Sequence, residues 1–323
     1  MTIVVGTGCL AAQGFGPDAL RNEAGGPEPK GLAAAIEGFD PADYLSMRGL
    51  RPLARATALA AVAAGAALGE PAPDLASERF GAVVGTQWGS IEPLVEFDRT
   101  AVVDGPGLVN PSHFPNVVAN VHAAYLGILF GLRGPNVTIC GAAAGLEAIG
   151  RGADLIALGR ADAVVAGGTE ALGTTLLRGL ERAGKTEAGH PQGEGAGFLL
   201  LTREPLPDRP SLARVAGWAS RTAHTKSDVD DARCTAVAAA LARADLAAVE
   251  VDLVWAGDEW PNGALQSDHA VRSIRDMCGE CRAAGGALAA VVAVAAVAEG
   301  EDAVLVVAFP PRGTQAALVL TCL

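Results

Sequence analysis

Basic residues are scarce in this chain. Only 24 Lys and Arg stand against 36 Asp and Glu, a formal net charge of −12. No basic patch is evident to offset phosphate charge, so no nucleic-acid partner is expected. Acidity on this scale also serves solubility alone. Long apolar runs are missing too. The longest, Ala283 to Ala298, is short and alanine-rich, so it reads as a buried helix and no membrane span is expected. Six cysteines are scattered at positions 9, 140, 234, 278, 281 and 322, and no signal peptide is expected ahead of them. Reduced thiols in a cytoplasmic protein are the expectation. Cys278-Gly-Glu-Cys281 lacks a second pair and lacks histidines at ligand spacing, so no metal is expected. Gly6-Thr-Gly8 followed by Gly14 is a degraded dinucleotide pattern, and no acidic residue closes a second strand at the required distance. No cofactor is expected.

What is present is apolar and small. Half of the residues are hydrophobic, with a mean hydropathy of +0.31, and alanine and glycine supply much of that total. The 323 residues suffice for one large domain or two fused ones. Strands are predicted at Thr2 to Val5 and Phe80 to Gly85, with a buried helix from about Pro52 to Leu68. Ser112-His-Phe-Pro-Asn116 opens a predicted helix running towards Gly131, with Phe114, Val117, Val118 and Val121 on its apolar face. Asn116, Asn120 and His122 interrupt that face, either lining a cavity or finding partners in the core. His113 and His122 have no acid or cysteine within sequence reach, which argues against catalysis by either.

The chain is organised around Gly134-Pro-Asn-Val-Thr-Ile-Cys140-Gly-Ala-Ala-Ala-Gly145. A β-branched run breaks at Gly141 and restarts as an apolar helix, predicted over 142–158 and followed by a strand from Asp162. Strand, sharp turn and buried helix form a nucleophile elbow, yet its tip is Ala142. An offset of 140 residues lays Ala143-Ala-Gly145 on Ala283-Ala-Gly285 and Asp162-Ala-Val164 on Asp302-Ala-Val304. The expectation is an internally duplicated α/β protein with halves 1–207 and 208–323, joined through Pro205, Pro207 and Pro210.

These residues resemble the β-ketoacyl synthase family of the thiolase fold. Phe39-Asp-Pro-Ala-Asp-Tyr44 resembles the family's approach to its first buried helix, and Phe130-Gly-Leu-Arg-Gly-Pro135 the run before its nucleophile strand. Ala166-Gly-Gly-Thr-Glu170, Gly193-Glu-Gly-Ala-Gly197 and Gly313-Thr-Gln-Ala-Ala-Leu-Val319 resemble three further signatures. The resemblance implies a layered α-β-α-β-α architecture and a chemistry of one cysteine and two histidines. Carried over by motif, the cysteine falls on Ala142, the first histidine on Gly257 within Val254-Trp-Ala-Gly-Asp258, and the second on Glu280. The preceding lysine becomes Arg275, and the glycine-rich gate becomes Pro310-Pro-Arg-Gly313.

Three catalytic positions without their chemistry resemble the chain length factor, the non-catalytic partner of the ketosynthase in type II polyketide synthases. Ala142-Ala-Ala-Gly-Leu-Glu-Ala148 is similar to the Gln-Ala-Gly-Gly-Leu-Asp-Ala run of those factors, with alanine where they carry glutamine. That departure, with shortened loops around 10–38, 171–192 and 206–235, looks more like factors of highly reducing systems that make polyenes. The resemblance implies a heterodimer with a cysteine-bearing ketosynthase. Asn136, Val137, Thr138, Ile139 and Cys140 would lie at the interface, and Phe114, Asn116, Val117, Asn120 and Val121 would gate the partner's acyl tunnel. Acyl carrier proteins are acidic as well, so such a carrier is expected to dock through the ketosynthase. Two rivals stand beside this reading: an autonomous acyltransferase using Cys140, and a thiolase-fold homodimer without catalysis.

Overall fold

The computed structural model describes residues 1–21, 33–70, 72–73, 75–184, 191–257 and 270–323. Asp258, which ends the motif around Gly257, and parts of the short loops 10–38 and 171–192 lie outside the described residues. The main strands are β1 (Thr2–Ala11), β2 (Phe80–Thr86), β3 (Asn136–Cys140), β4 (Ala163–Glu170) and β5 (Gly195–Thr202), then β6 (Ala213–Ala223), β7 (Leu253–Ala256), β8 (Ala270–Ser273), β9 (Ala303–Ala308) and β10 (Gly313–Thr321). The main helices are α1 (Arg55–Leu68), α2 (Ile91–Arg99), α3 (Val121–Phe130) and α4 (Ala144–Ala157), then α5 (Thr174–Arg182), α6 (Val229–Ala244) and α7 (Ala283–Glu299).

The ten strands run in the order β8-β7-β9-β10-β6-β1-β5-β4-β2-β3. From the centre outwards, β1-β5-β4-β2-β3 and β6-β10-β9-β7-β8 repeat one pattern of two antiparallel and then two parallel pairings. The halves meet where β1 pairs antiparallel with β6, through Thr2 with Val215, Ile3 with Arg214 and Val4 with Ala213. The 140-residue offset seen in the sequence is kept at the strand entries. The carbonyl of Asp162, ahead of β4, accepts from Arg203 N at 3.0 Å; the carbonyl of Asp302, ahead of β9, accepts from Cys322 N at 3.1 Å. The fold is thiolase-like and internally duplicated.

Burial explains the composition. β4, β5 and β9 are buried along their whole length, as strands covered on both faces are, and are largely apolar, with Thr169 and Glu170 closing β4 and Thr202 closing β5. α4 and α7 fill the layer between the two sheet halves, while α1 and α3 cover one outer face and α6 the other. The inner helices pass so close that a Cβ on Gly145 would strike the carbonyl of Ala283. Small side chains make this layer thin enough to close.

Two sequence expectations are corrected. The helix expected from Ser112 to Gly131 is broken into a 3-10 turn, Pro111–Asn116, and α3, which starts only at Val121. Pro115 has no N–H to give an α-helical ladder, and the Asn110 side chain caps the short turn through Ser112 N at 3.0 Å. Phe114 is therefore 57% exposed and Val118 is at the surface, whereas Val121 is buried. The helix expected from Ala142 starts two residues later, at Ala144, which leaves Ala142 in the turn itself.

Candidate functional site

The elbow is built as the sequence implies. β3 ends at Cys140, Gly141 takes a positive φ of 154°, and Gly141 N donates to Thr86 O at 3.0 Å. Ala144 N closes the turn on Gly141 O at 3.2 Å. Ala142 stands half-buried before the first turn of α4, where helix-end N–H groups would favour a thiolate. Its methyl group offers nothing to ionise.

At Gly257, where the resemblance expects the first histidine, there is no space for a side chain. Gly257 N donates to Val307 O at 2.8 Å, which presses the chain against the start of α7. A Cβ on Gly257 would lie 2.6 Å from Gly286 N and 2.8 Å from Gly285 C. No side chain fits there without moving helix backbone.

Glu280 occupies the third. Its carboxylate is buried and accepts from Arg282 N at 3.0 Å, with Arg275 Nε 3.7 Å and Arg282 Nε 3.9 Å away. Arg282 Nη2 donates to Gln192 Oε1 at 3.0 Å, and the Glu280 backbone is tied to Pro191 O and Gly193 N. The position where the resemblance expects the second histidine thus holds a fixed ion cluster. Such a cluster orders a loop more than it supplies chemistry.

Sequence reasoning treated Glu170 and Glu194 only as parts of signatures. Glu194 is fully buried and accepts from Arg55 Nε at 2.8 Å and Nη2 at 2.6 Å, from Ile36 N at 2.7 Å and from Leu172 N at 3.0 Å. Glu170, at the end of β4, accepts from Thr86 Oγ1 at 3.1 Å, from Gln87 N and from Trp88 N at 3.3 Å. Burial pushes its carboxyl up to about 7, against the pull of those donors and of the Arg282 charge. The signal available in the sequence was a glutamate inside an otherwise apolar run.

The expected gate residues are only partly brought together. Asn116 donates from Nδ2 to Pro52 O at 2.8 Å and lines a cavity of about 330 Å³ with Leu53, Phe97, Leu108 and His113. Phe114 packs on Phe97, their ring centroids 6.2 Å apart. Val117 is half-buried, Asn120 is exposed, and Val121 belongs to the core. His122 is buried against Thr57, with Nδ1 2.9 Å from Oγ1. Burial drives it down to about 4. β3 is the outermost strand of its half and pairs only with β2 among the described residues, so its other backbone edge is open. Asn136 and Cys140 are exposed, and Val137, Thr138 and Ile139 half-buried. Cys278 and Cys281 are buried free thiols with Sγ atoms 3.8 Å apart. Hydrogen bonding to Cys278 and burial push the Cys281 thiol well up, which makes it unreactive. No group of three metal-binding side chains occurs among the described residues, and none of their helices is long and apolar enough to cross a membrane.

The structure is similar to that of the ishigamide ketosynthase/chain length factor, with a TM-score of 0.85 and 26% identity over 100% of this chain and 99% of that one. It shares its fold at 19% identity and a TM-score of 0.80 with a β-ketoacyl synthase from Burkholderia phymatum, over 100% of this chain and 99% of that one. In sequence it is 33% identical over 193 residues to the 3-oxoacyl-[acyl-carrier-protein] synthase 2 of Vibrio cholerae, covering 53% of this chain and 46% of that protein. Its Staphylococcus aureus counterpart is 28% identical over 191 residues, 53% of this chain and 47% of that protein. The chain spans about half the length of the curated relatives it matches. The model of the β-ketoacyl synthase N-terminal domain matches residues 6–205, which include the elbow, β4 and the buried Glu194, and the chain belongs to the β-ketoacyl synthase family.

Proposed function

We propose that this chain is a chain length factor: a non-catalytic subunit that pairs with a cysteine-bearing ketosynthase and limits the length of the polyketide, of the polyene kind, made in the shared tunnel. The observation that carries the reading is the contrast between a preserved elbow and three vacated positions, Ala142, Gly257 and Glu280, one closed by helix backbone and another locked in ions. Loss of any member of a catalytic unit costs orders of magnitude in rate, and the other members do not make it good. Likeness to a structure described as ketosynthase/chain length factor supports the same reading. The open edge of β3 is the surface through which the partner would pair, the two chains' strands running antiparallel. The acyl carrier protein engages the complex through the ketosynthase, in the cytoplasm. The chain divides into halves at 207/208, ahead of β6.

Chain length is then a steric limit. Each further methylene buried gains about 0.8 kcal/mol, and overpacking costs about 1–3 kcal/mol, so one bulky side chain fixes a stopping point. Co-expression with the ketosynthase is expected to give a 1:1 complex, and Ala142→Cys is expected not to make this chain a condensing enzyme. A monodisperse monomer alongside a ketosynthase fully active alone would falsify the partner role. Val117→Phe is expected to shorten the product of the reconstituted pair, read by mass spectrometry. Val121→Phe is a poorer probe, because Val121 is packed in the core and its enlargement strains the fold. The exposed Cys140 keeps an acyltransferase reading open to test. Stoichiometric acylation by an acyl thioester, abolished in Cys140→Ala, is the result that would favour it.

A further inference from the structure

A single carboxylate oxygen gathers three donors at the root of the segment that carries the gate residues. Glu170 Oε1 accepts from Thr86 Oγ1, Gln87 N and Trp88 N, and Oε2 lies 3.4 Å from Trp88 N. The side chain is fully enclosed, so no water substitutes for these donors. An ionised carboxylate accepts on both oxygens with its charge behind each bond; a carboxamide of the same shape keeps one neutral acceptor oxygen and sets an N–H₂ where Oε2 faces Trp88 N. Thr86 links the site outwards in two directions. Its hydroxyl accepts from Gly89 N at 3.0 Å, and its carbonyl accepts from the elbow's Gly141 N at 3.0 Å.

Beyond this turn the chain makes a long excursion from the sheet. Ser90 Oγ donates to Val118 O at 3.3 Å, so residues 91–117 leave and return through one neck. The excursion contains α2, the exposed Val102, Val103 and Leu108, and the gate candidates Phe114, Asn116 and Val117. The Arg282 charge also acts on Glu170, and Arg282 N donates to Glu280. The ion cluster in the vacated catalytic position and the root of the excursion therefore share one arginine.

We propose that Glu170 is a positioning residue: by clamping Thr86, Gln87 and Trp88 it fixes where segment 91–117 leaves the sheet, and with it where the gate side chains stand. This inference rests on the chain-length reading for its consequence, but not for the clamp itself. The test has two arms on the full chain. In the first, amide exchange of Glu170→Gln is followed by mass spectrometry. At pH 8, above the range in which the buried carboxyl titrates, exchange at Gln87 to Gly89 is expected to rise about tenfold or more, because a neutral amide oxygen accepts more weakly than a carboxylate, while α7 keeps its protection. In the second, the variant is paired with its ketosynthase and supplied with malonyl-loaded acyl carrier protein. The expected result is a shifted or broadened product-length distribution at unchanged 1:1 assembly.

Unchanged exchange at 87–89 overturns the clamp. Raised exchange with an unaltered distribution overturns its role in placing the gate. If the wild-type chain fails to assemble with the ketosynthase, the chain-length reading falls, and the exchange arm still decides the clamp. Thr86→Val removes one of the three donors at nearly constant volume; it is expected to move both readouts in the same direction by less, and supplies the test if Glu170→Gln does not fold.

Discussion

Gly257→His is expected to destabilise the protein by about 3 kcal/mol or more, the upper end of overpacking costs, rather than to return a catalytic histidine. The obstacle is backbone, not a side chain that could swing aside. A Cβ at 257 meets Gly286 N at 2.6 Å and Gly285 C at 2.8 Å, and both belong to the first turn of a helix buried between the sheet halves. Moving that turn moves α7 against α4, whose crossing is already tight enough to exclude a Cβ at Gly145. With total stabilities of about 5–15 kcal/mol for such domains, a loss of this size is visible as a large fall in the urea midpoint. Gly257→Ala, which adds only the Cβ, is expected to show most of the effect. Ala142→Cys is the contrast: its site is half-buried in a turn, and a sulfur there is expected to cost within about 1 kcal/mol. The triple variant Ala142→Cys, Gly257→His, Glu280→His is accordingly expected to release no carbon dioxide from malonyl-loaded acyl carrier protein. A triple variant of wild-type stability that condenses would show that the three positions lack only their side chains.

How much of this was legible in the sequence differs by element. The strand from Asp162 was legible as a short apolar run through Val164 and Val165, whereas β5, around Leu199 and Leu200, was read only as the tail of a glycine signature. The duplication was legible from the 140-residue offset, since Asp162 and Asp302 perform the same turn at the same place in each half. The start of α3 was not. Helical periodicity runs through Phe114, Val117 and Val121, and only the backbone chemistry of Pro111 and Pro115 divides them. In the site, motif position put the three expected catalytic positions at Ala142, Gly257 and Glu280, but did not show what surrounds the last two. Those surroundings are contacts between residues far apart in the chain, such as Gly257 with Gly286 and Glu280 with Gln192. The role of Glu170 was hidden for the same reason, as its donors lie more than 80 residues upstream.

Glu170→Gln is expected to uncover a pH dependence of stability that the wild-type protein conceals. Two buried groups near the β2–α2 turn are shifted in opposite senses. His122 titrates at about 4 in the fold against an ordinary 6.5, so between those values the native state binds fewer protons than the unfolded chain. Its contribution to stability therefore rises with pH across that window and is lost as pH falls through it. Glu170 titrates at about 7 against an ordinary 4.5, so the native state binds more protons in between, and stability falls as pH rises from 4.5 to 7. Each shift corresponds to about 3 kcal/mol at 1.36 kcal/mol per unit. Over pH 4.5 to 6.5 the two slopes oppose and nearly cancel. Removing the carboxyl leaves His122 unopposed, and the stability of Glu170→Gln relative to wild type is expected to climb by about 3 kcal/mol from pH 4.5 to 7. Taking the difference between variant and wild type removes other groups, including Glu147, which burial also raises. Urea midpoints measured at half-unit steps read this directly. A difference profile that is flat across the window would mean that Glu170 is not the group whose charge the fold resists, and a falling one would reverse its sign.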